Sequence, residues 1–134
     1  MDQASLTAIY GEYIACLNAR DWPKLDSFVD LNVVHNGRTL GLAGYRAMLE
    51  QNVRDIPDLR FEADLLVVQP PQVASRLRSD CCPIGLFLDL PVNGRHVTFY
   101  ENVFYRFGQA RIIQVWSIVD KAAIEAQLEE IDAS

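Results

Sequence analysis

Cysteine is scarce in this chain, with three residues, Cys16, Cys81 and Cys82, two of them adjacent. An odd count without a Cys-x-x-Cys pair argues against a disulfide framework and a cysteine zinc site, and fits a reducing, cytoplasmic compartment. Positive charge is also short: 12 Lys and Arg against 18 Asp and Glu give a net charge of -6. Such a chain, with no basic stripe, repels phosphate backbones, which speaks against nucleic acid as a partner. No apolar run approaches the ~20 residues of a membrane helix. The start, Met1-Asp2-Gln3-Ala4-Ser5, lacks the basic and apolar segments of a secretory signal. No membrane partner is expected. Internal repeats, low-complexity tracts and linkers are missing too.

What the chain has is apolar material. Half of its 134 residues are hydrophobic, enough for a real core, and the length suits one domain over residues 1–134 rather than two. Leu6, Ile9, Tyr10, Tyr13, Ile14 and Leu17 recur at helical spacing and predict an amphipathic first helix. Asp21 and Pro23 open a second, short helix burying Leu25, Phe28 and Val29. Asn36-Gly37 between two β-type runs predicts a tight hairpin, because its turn needs positive φ at both central residues. A third helix buries Tyr45, Met48, Leu49 and Val53 and stops at Pro57. Strands are predicted over 59–69, 72–80, 95–107 and 111–119. Pro83 and Pro91 keep the segment 81–93 irregular. Asp120 caps a closing helix over 121–131. Helices segregated from a meandering antiparallel sheet make an α+β layout, a curved sheet wrapped around helices with room for an internal pocket.

Particular motifs carry a resemblance. Gly85-Leu86-Phe87-Leu88-Asp89-Leu90-Pro91-Val92-Asn93-Gly94-Arg95 is similar to a Gly-x-Phe-x-Gly-x-Pro-x-x-Gly-Arg loop, with Asp89 in place of the second Gly. Tyr105-Arg106-Phe107 matches a Tyr-Arg-Phe strand end, and Trp116 precedes Asp120 by four residues. Tyr13, Leu17, Asn18, Asp21 and Trp22 fit the accompanying first helix and turn. Together they resemble the SnoaL-like cyclase and isomerase group, whose cone fold is shared with nuclear transport factor 2 and ketosteroid isomerase. The resemblance implies a closed cone with an internal pocket, a homodimer, and no metal or organic cofactor. It also implies proton transfer on a hydrophobic, oxygenated small molecule of polyketide or terpenoid type. The alternative is a binding or dimerisation module of the same fold, since a fold alone fixes no reaction. Two further positions depart from the family pattern: Cys82-Pro83 stands where relatives have Thr-His, and Val103 where many have an acid.

Glu101 lies one pleat from that acidic position, on one strand face with Phe99, Val103, Tyr105 and Phe107. A carboxylate in an apolar cavity has its pKa raised towards neutrality and suits proton transfer. The plainer alternative pairs Glu101 with Arg76 or Arg78 across the sheet. His35, just before the Asn-Gly turn, is the second catalytic candidate, as an imidazole that shuttles protons near neutral pH. Arg76, Asp80, Tyr105, Trp116, Tyr13 and Glu62 are the candidate substrate-binding residues, with Arg76 or Tyr105 facing developing oxyanion charge. Asp120 reads as a helix cap and Cys81-Cys82 as inert thiols.

Overall fold

A computed structural model describes residues 1–133. Helix α1 (Gln3–Ala19) starts where the Asp2 carboxylate accepts a bond from the Ser5 backbone N–H at 2.7 Å. It ends at Arg20, whose left-handed backbone returns its N–H to the carbonyls of Cys16 and Leu17. Leu6, Tyr10, Tyr13, Cys16 and Leu17 form its buried stripe. Pro23 stands in the first turn of a 3-10 segment, Trp22–Ser27. Val29, expected in that helix, instead opens strand β1 (Val29–His35). The Asn36-Gly37 turn, with φ of 48° and 81°, leads into the short β2 (Arg38–Thr39), as the hairpin signal predicts. Helix α2 (Gly41–Asp55) buries Tyr45 and Leu49.

The sheet continues with β3 (Glu62–Gln69) and β4 (Gln72–Cys81), then a two-stranded ribbon of β5 (Leu86–Phe87) and β6 (Leu90–Pro91). The long β7 (Val97–Gly108) and β8 (Arg111–Val119) follow. Helix α3 (Lys121–Ala133) is capped by Asp120, which accepts the Ala123 N–H at 3.2 Å. The strand order is β2-β1-β8-β7-β4-β3. It is a meander only in part, because β1 runs parallel to β8 while the other pairs are antiparallel. The sheet is curved but unclosed, with β2 and β3 as its edges, so the closed cone is corrected to an open one.

Helices and sheet meet in two apolar clusters. The larger joins α1, α2 and the inner faces of β1, β4, β7 and β8. The smaller packs Val97 and Phe99 of β7 against Ile124 and Leu128 of α3 and against Ile56, Leu59 and Val92. Strand β3 does not keep Phe61, Ala63, Leu65 and Val67 on one buried face opposite Glu62 and Asp64. Its register with β4 shifts between Ala63 and Leu65, and Val68 becomes its buried residue while Leu65 and Val67 stay exposed. An extra residue at a bulge reverses which side chains face inward beyond it. That reversal puts apolar side chains on the outer face of the sheet.

Candidate active site

On the inner face of β7, Val97, Phe99, Val103, Tyr105 and Phe107 are buried and apolar or aromatic. Glu101 interrupts this column at the seam between the two clusters. It is half-buried, and burial raises its pKa above the ordinary 4.5, opposed by the Ser117 hydroxyl, which favours the ionised form. Its ladder partners are Leu77 on β4 and Val119 on β8. No arginine shares its face, so the cross-sheet pairing with Arg76 or Arg78 does not occur.

Strand β8 lies between β7 and β1. Ser117 points inward from it, two residues before Val119. On the far side, His35 is the last residue of β1 and places its Nε2 3.2 Å from Ser117 Oγ. His35 is also half-buried, and loss of solvent lowers its pKa below 6.5, so it is neutral at neutral pH. The hairpin turn fixes this approach. Asn36 accepts from the Ser117 N–H through Oδ1 at 2.8 Å and donates from Nδ2 to the Ser117 carbonyl at 3.1 Å. Its backbone N–H reaches the Val115 carbonyl at 2.9 Å. Asn36 is thus occupied by the backbone of β8.

Four buried tyrosines, Tyr10, Tyr13, Tyr45 and Tyr105, pack in the core on the side of Glu101. The hydroxyls of Tyr13 and Tyr45 are 2.8 Å apart, and Tyr10 donates to Tyr105 at 3.3 Å. The ring of Tyr45 meets His35 edge-on at 6.2 Å between centroids. Burial pushes Tyr10 up to about 12 and raises the other three well above the ordinary 10, with the charge of Glu101 adding to the shift at Tyr10, Tyr13 and Tyr45. All four are therefore neutral donors. In the Tyr13–Tyr45 pair one proton closes the bond and the second remains for another acceptor. The Oγ atoms of Ser75 and Ser79 are buried without a hydrogen bond of normal geometry, although Tyr10 and Cys81 lie near them. These serines flank Leu77, the residue opposite Glu101.

The structure brings Glu101, His35, Tyr13 and Tyr105 to one face and removes the other candidates from it. Arg76 lies on the outer face, stacked over Tyr100 at 4.0 Å and bonded to Asn102 at 3.1 Å. Asp80 pairs with Arg78 at 3.2 Å and with Thr98 on that same face. Both alternate with Val73, Leu77 and Cys81, which point inward. Glu62 is exposed opposite Arg78. Trp116 turns outward because Val115 and Ser117 occupy the inward positions of β8. Tyr45 was legible as helix core and Ser117 not at all; neither carried a sign of its place beside His35. Among the described residues, no three His, Cys, Asp or Glu side chains converge as metal ligands.

The model of the SnoaL-like polyketide cyclase family matches residues 7–128. A SnoaL-like polyketide cyclase from Agrobacterium tumefaciens is 54% identical, with 96% of this chain and 99% of that one covered at a TM-score of 0.92. TsrD from Streptomyces laurentii, at 23% identity, covers 96% and 97% with a TM-score of 0.82. IdmH from Streptomyces antibioticus, at 18% identity, covers 92% and 98% with a TM-score of 0.80. No curated protein matches the chain. A family model spanning nearly all of the chain, and a relative sharing more than half of its residues, lead to one conclusion: this protein belongs to the SnoaL-like polyketide cyclase family.

Proposed function

We propose that the protein is a cyclase or isomerase that moves protons on a hydrophobic, oxygenated small molecule of polyketide or terpenoid type, without a cofactor. The observation that carries the reading is Glu101, a carboxylate set alone in an apolar column with a neutral histidine and buried hydroxyls around it. In such surroundings Glu101 removes a proton beside a substrate carbonyl and later returns it to carbon or oxygen. His35, neutral at its lowered pKa, takes part at neutral pH as a relay, accepting at one ring nitrogen while the other donates. The tyrosines, Tyr105 and Tyr13 among them, stay protonated and supply donors to developing oxyanion charge. The unpaired hydroxyls of Ser75 and Ser79 suit a ligand that carries oxygen. Three free thiols suit a reducing cytoplasm.

A screen of oxygenated polyketide and terpenoid intermediates identifies a substrate, on which Glu101→Gln is expected to cost about 100-fold or more in rate. Wild-type turnover by that variant overturns the assignment. The tyrosines packed beside Glu101 favour one further reading, a module that holds such a ligand without converting it. Saturable binding with no product in the same screen identifies that case.

The outer face of the sheet suits a second copy of the chain. Leu65, Val67, Phe104 and Ile118 are 60%, 55%, 60% and 70% exposed there. Monomers rarely leave so large an apolar patch in water. Hollows of about 290 and 250 Å³ lie on this face, both lined by Val67, Ala74 and Phe104. Projecting Phe104 and hollows floored by Ala74 within one patch are what a two-fold interface needs, since each surface must fit itself.

A further inference from the structure

We propose that Ser117 is the positioning residue of this site, its single hydroxyl proton making the tautomer of His35 follow the charge on Glu101. This inference rests on the proton-transfer reading of Glu101. Strands β1, β8 and β7 lie side by side, and His35, Ser117 and Glu101 project from them to the same inner face. A serine hydroxyl has one proton to give and two lone pairs to receive with. When Glu101 is ionised, the proton of Ser117 belongs with the carboxylate. The serine oxygen then accepts from His35, whose Nε2 must carry the hydrogen. When Glu101 has taken a proton, it has its own hydrogen to offer. Ser117 is then free to turn and donate to Nε2, which gives its proton up to solvent while Nδ1 of the half-buried ring takes one from solvent. No charge is created in His35 in either state, in keeping with its desolvated ring. One proton moves from the substrate carbon to Glu101, and the row of hydroxyl and imidazole reverses its direction to suit.

The serine is held for this task from behind. Asn36 binds both its N–H and its carbonyl, so the Ser117 backbone is fixed to the very turn that carries His35. A serine kept only for packing needs no such clamp. The other inward positions of β8, Ile112, Val115 and Val119, are filled by plain apolar side chains.

The test is nitrogen-detected NMR of the imidazoles across the pH range, which is simple because the chain has only His35 and His96. In the wild type, His35 is expected to pass from the Nε2–H to the Nδ1–H form as Glu101 takes up its proton. Ser117→Ala should abolish that change and lower kcat/KM about tenfold, with its acid limb moved to higher pH. Ser117→Thr, which keeps the hydroxyl, should restore both. Glu101→Gln should freeze His35 in one form at every pH. A tautomer transition that survives in Ser117→Ala, or a kcat/KM profile unchanged by it, overturns the proposal. Full activity in Glu101→Gln instead defeats the catalytic reading, and leaves the tautomer result of Ser117→Ala to be judged on its own.

Discussion

Glu101 binds its proton more tightly in the folded chain than in water, because burial penalises the charge more than Ser117 compensates it. Its folded pKa therefore lies above the unfolded 4.5. The stability it contributes is complete below about 4.5 and is lost as pH rises through the folded value. Glu101→Gln removes this loss, so the variant should gain more in Tm over the wild type at pH 8 than at pH 4.5, measured by calorimetry. An equal gain at both pH values would contradict the burial of the charge. Rate follows the opposite direction: as a base Glu101 must be ionised, so kcat/KM should rise with pH along a limb that lies above 4.5. Glu101 was legible because a single acid among Phe99, Val103, Tyr105 and Phe107 breaks a period-two apolar pattern. The same alternation assigns Arg76 and Asp80 to the side away from Val73, Leu77 and Cys81. Their charge drew attention that their spacing did not support. Ser117 escaped notice because serine is as common on solvent faces as beside a catalytic group.

Among the elements, the hairpin turns follow from their residues most directly. Asn36 adopts a left-handed backbone at φ 48° and also supplies the two bonds that fasten β2 and β1 to β8. Asn36→Ala should cost about 2 kcal/mol, from two lost hydrogen bonds and a strained φ, measured by chemical denaturation. The β5–β6 ribbon is the reverse case. Leu88 and Asp89 hold φ of 52° and 63° at its turn, values that suit glycine. Asp89 stands where the family pattern has Gly. Asp89→Gly is therefore expected to stabilise the protein by about 0.5 kcal/mol, a small rise in denaturation midpoint. The bulge in β3 could not be foreseen, because Phe61 and Ala63 alternate with Glu62 and Asp64 while the apolar run from Leu65 to Val68 fits either face. Only the register against β4 shows the pattern changing sides after Ala63.

At the scale of the molecule, the α+β class and the element order were legible, while the parallel pairing of β1 with β8 was not. Local periodicity says that a segment is a strand and says nothing of which distant strand it will join. The outer face, with Phe104 across from Trp116 in the β7–β8 ladder, carries the prediction that belongs here. Phe104→Arg should convert a dimer into a monomer in light scattering while the far-ultraviolet circular dichroism is kept. A wild-type chain that is already monomeric at micromolar concentration removes the second copy from that face.

The pairing of β1 with β8 also bears on how the molecule comes into being. His35 lies 82 residues from Ser117 along the chain, and the two meet only when the first strand is joined by the last. Contacts so remote form late, after closure of a long loop whose entropy opposes them. A nascent chain emerging from the ribosome therefore has its tyrosine-bearing helices before it has any proton-transfer site. On the proposed assignment of Glu101 and His35, turnover is expected only once β8 has been made and docked.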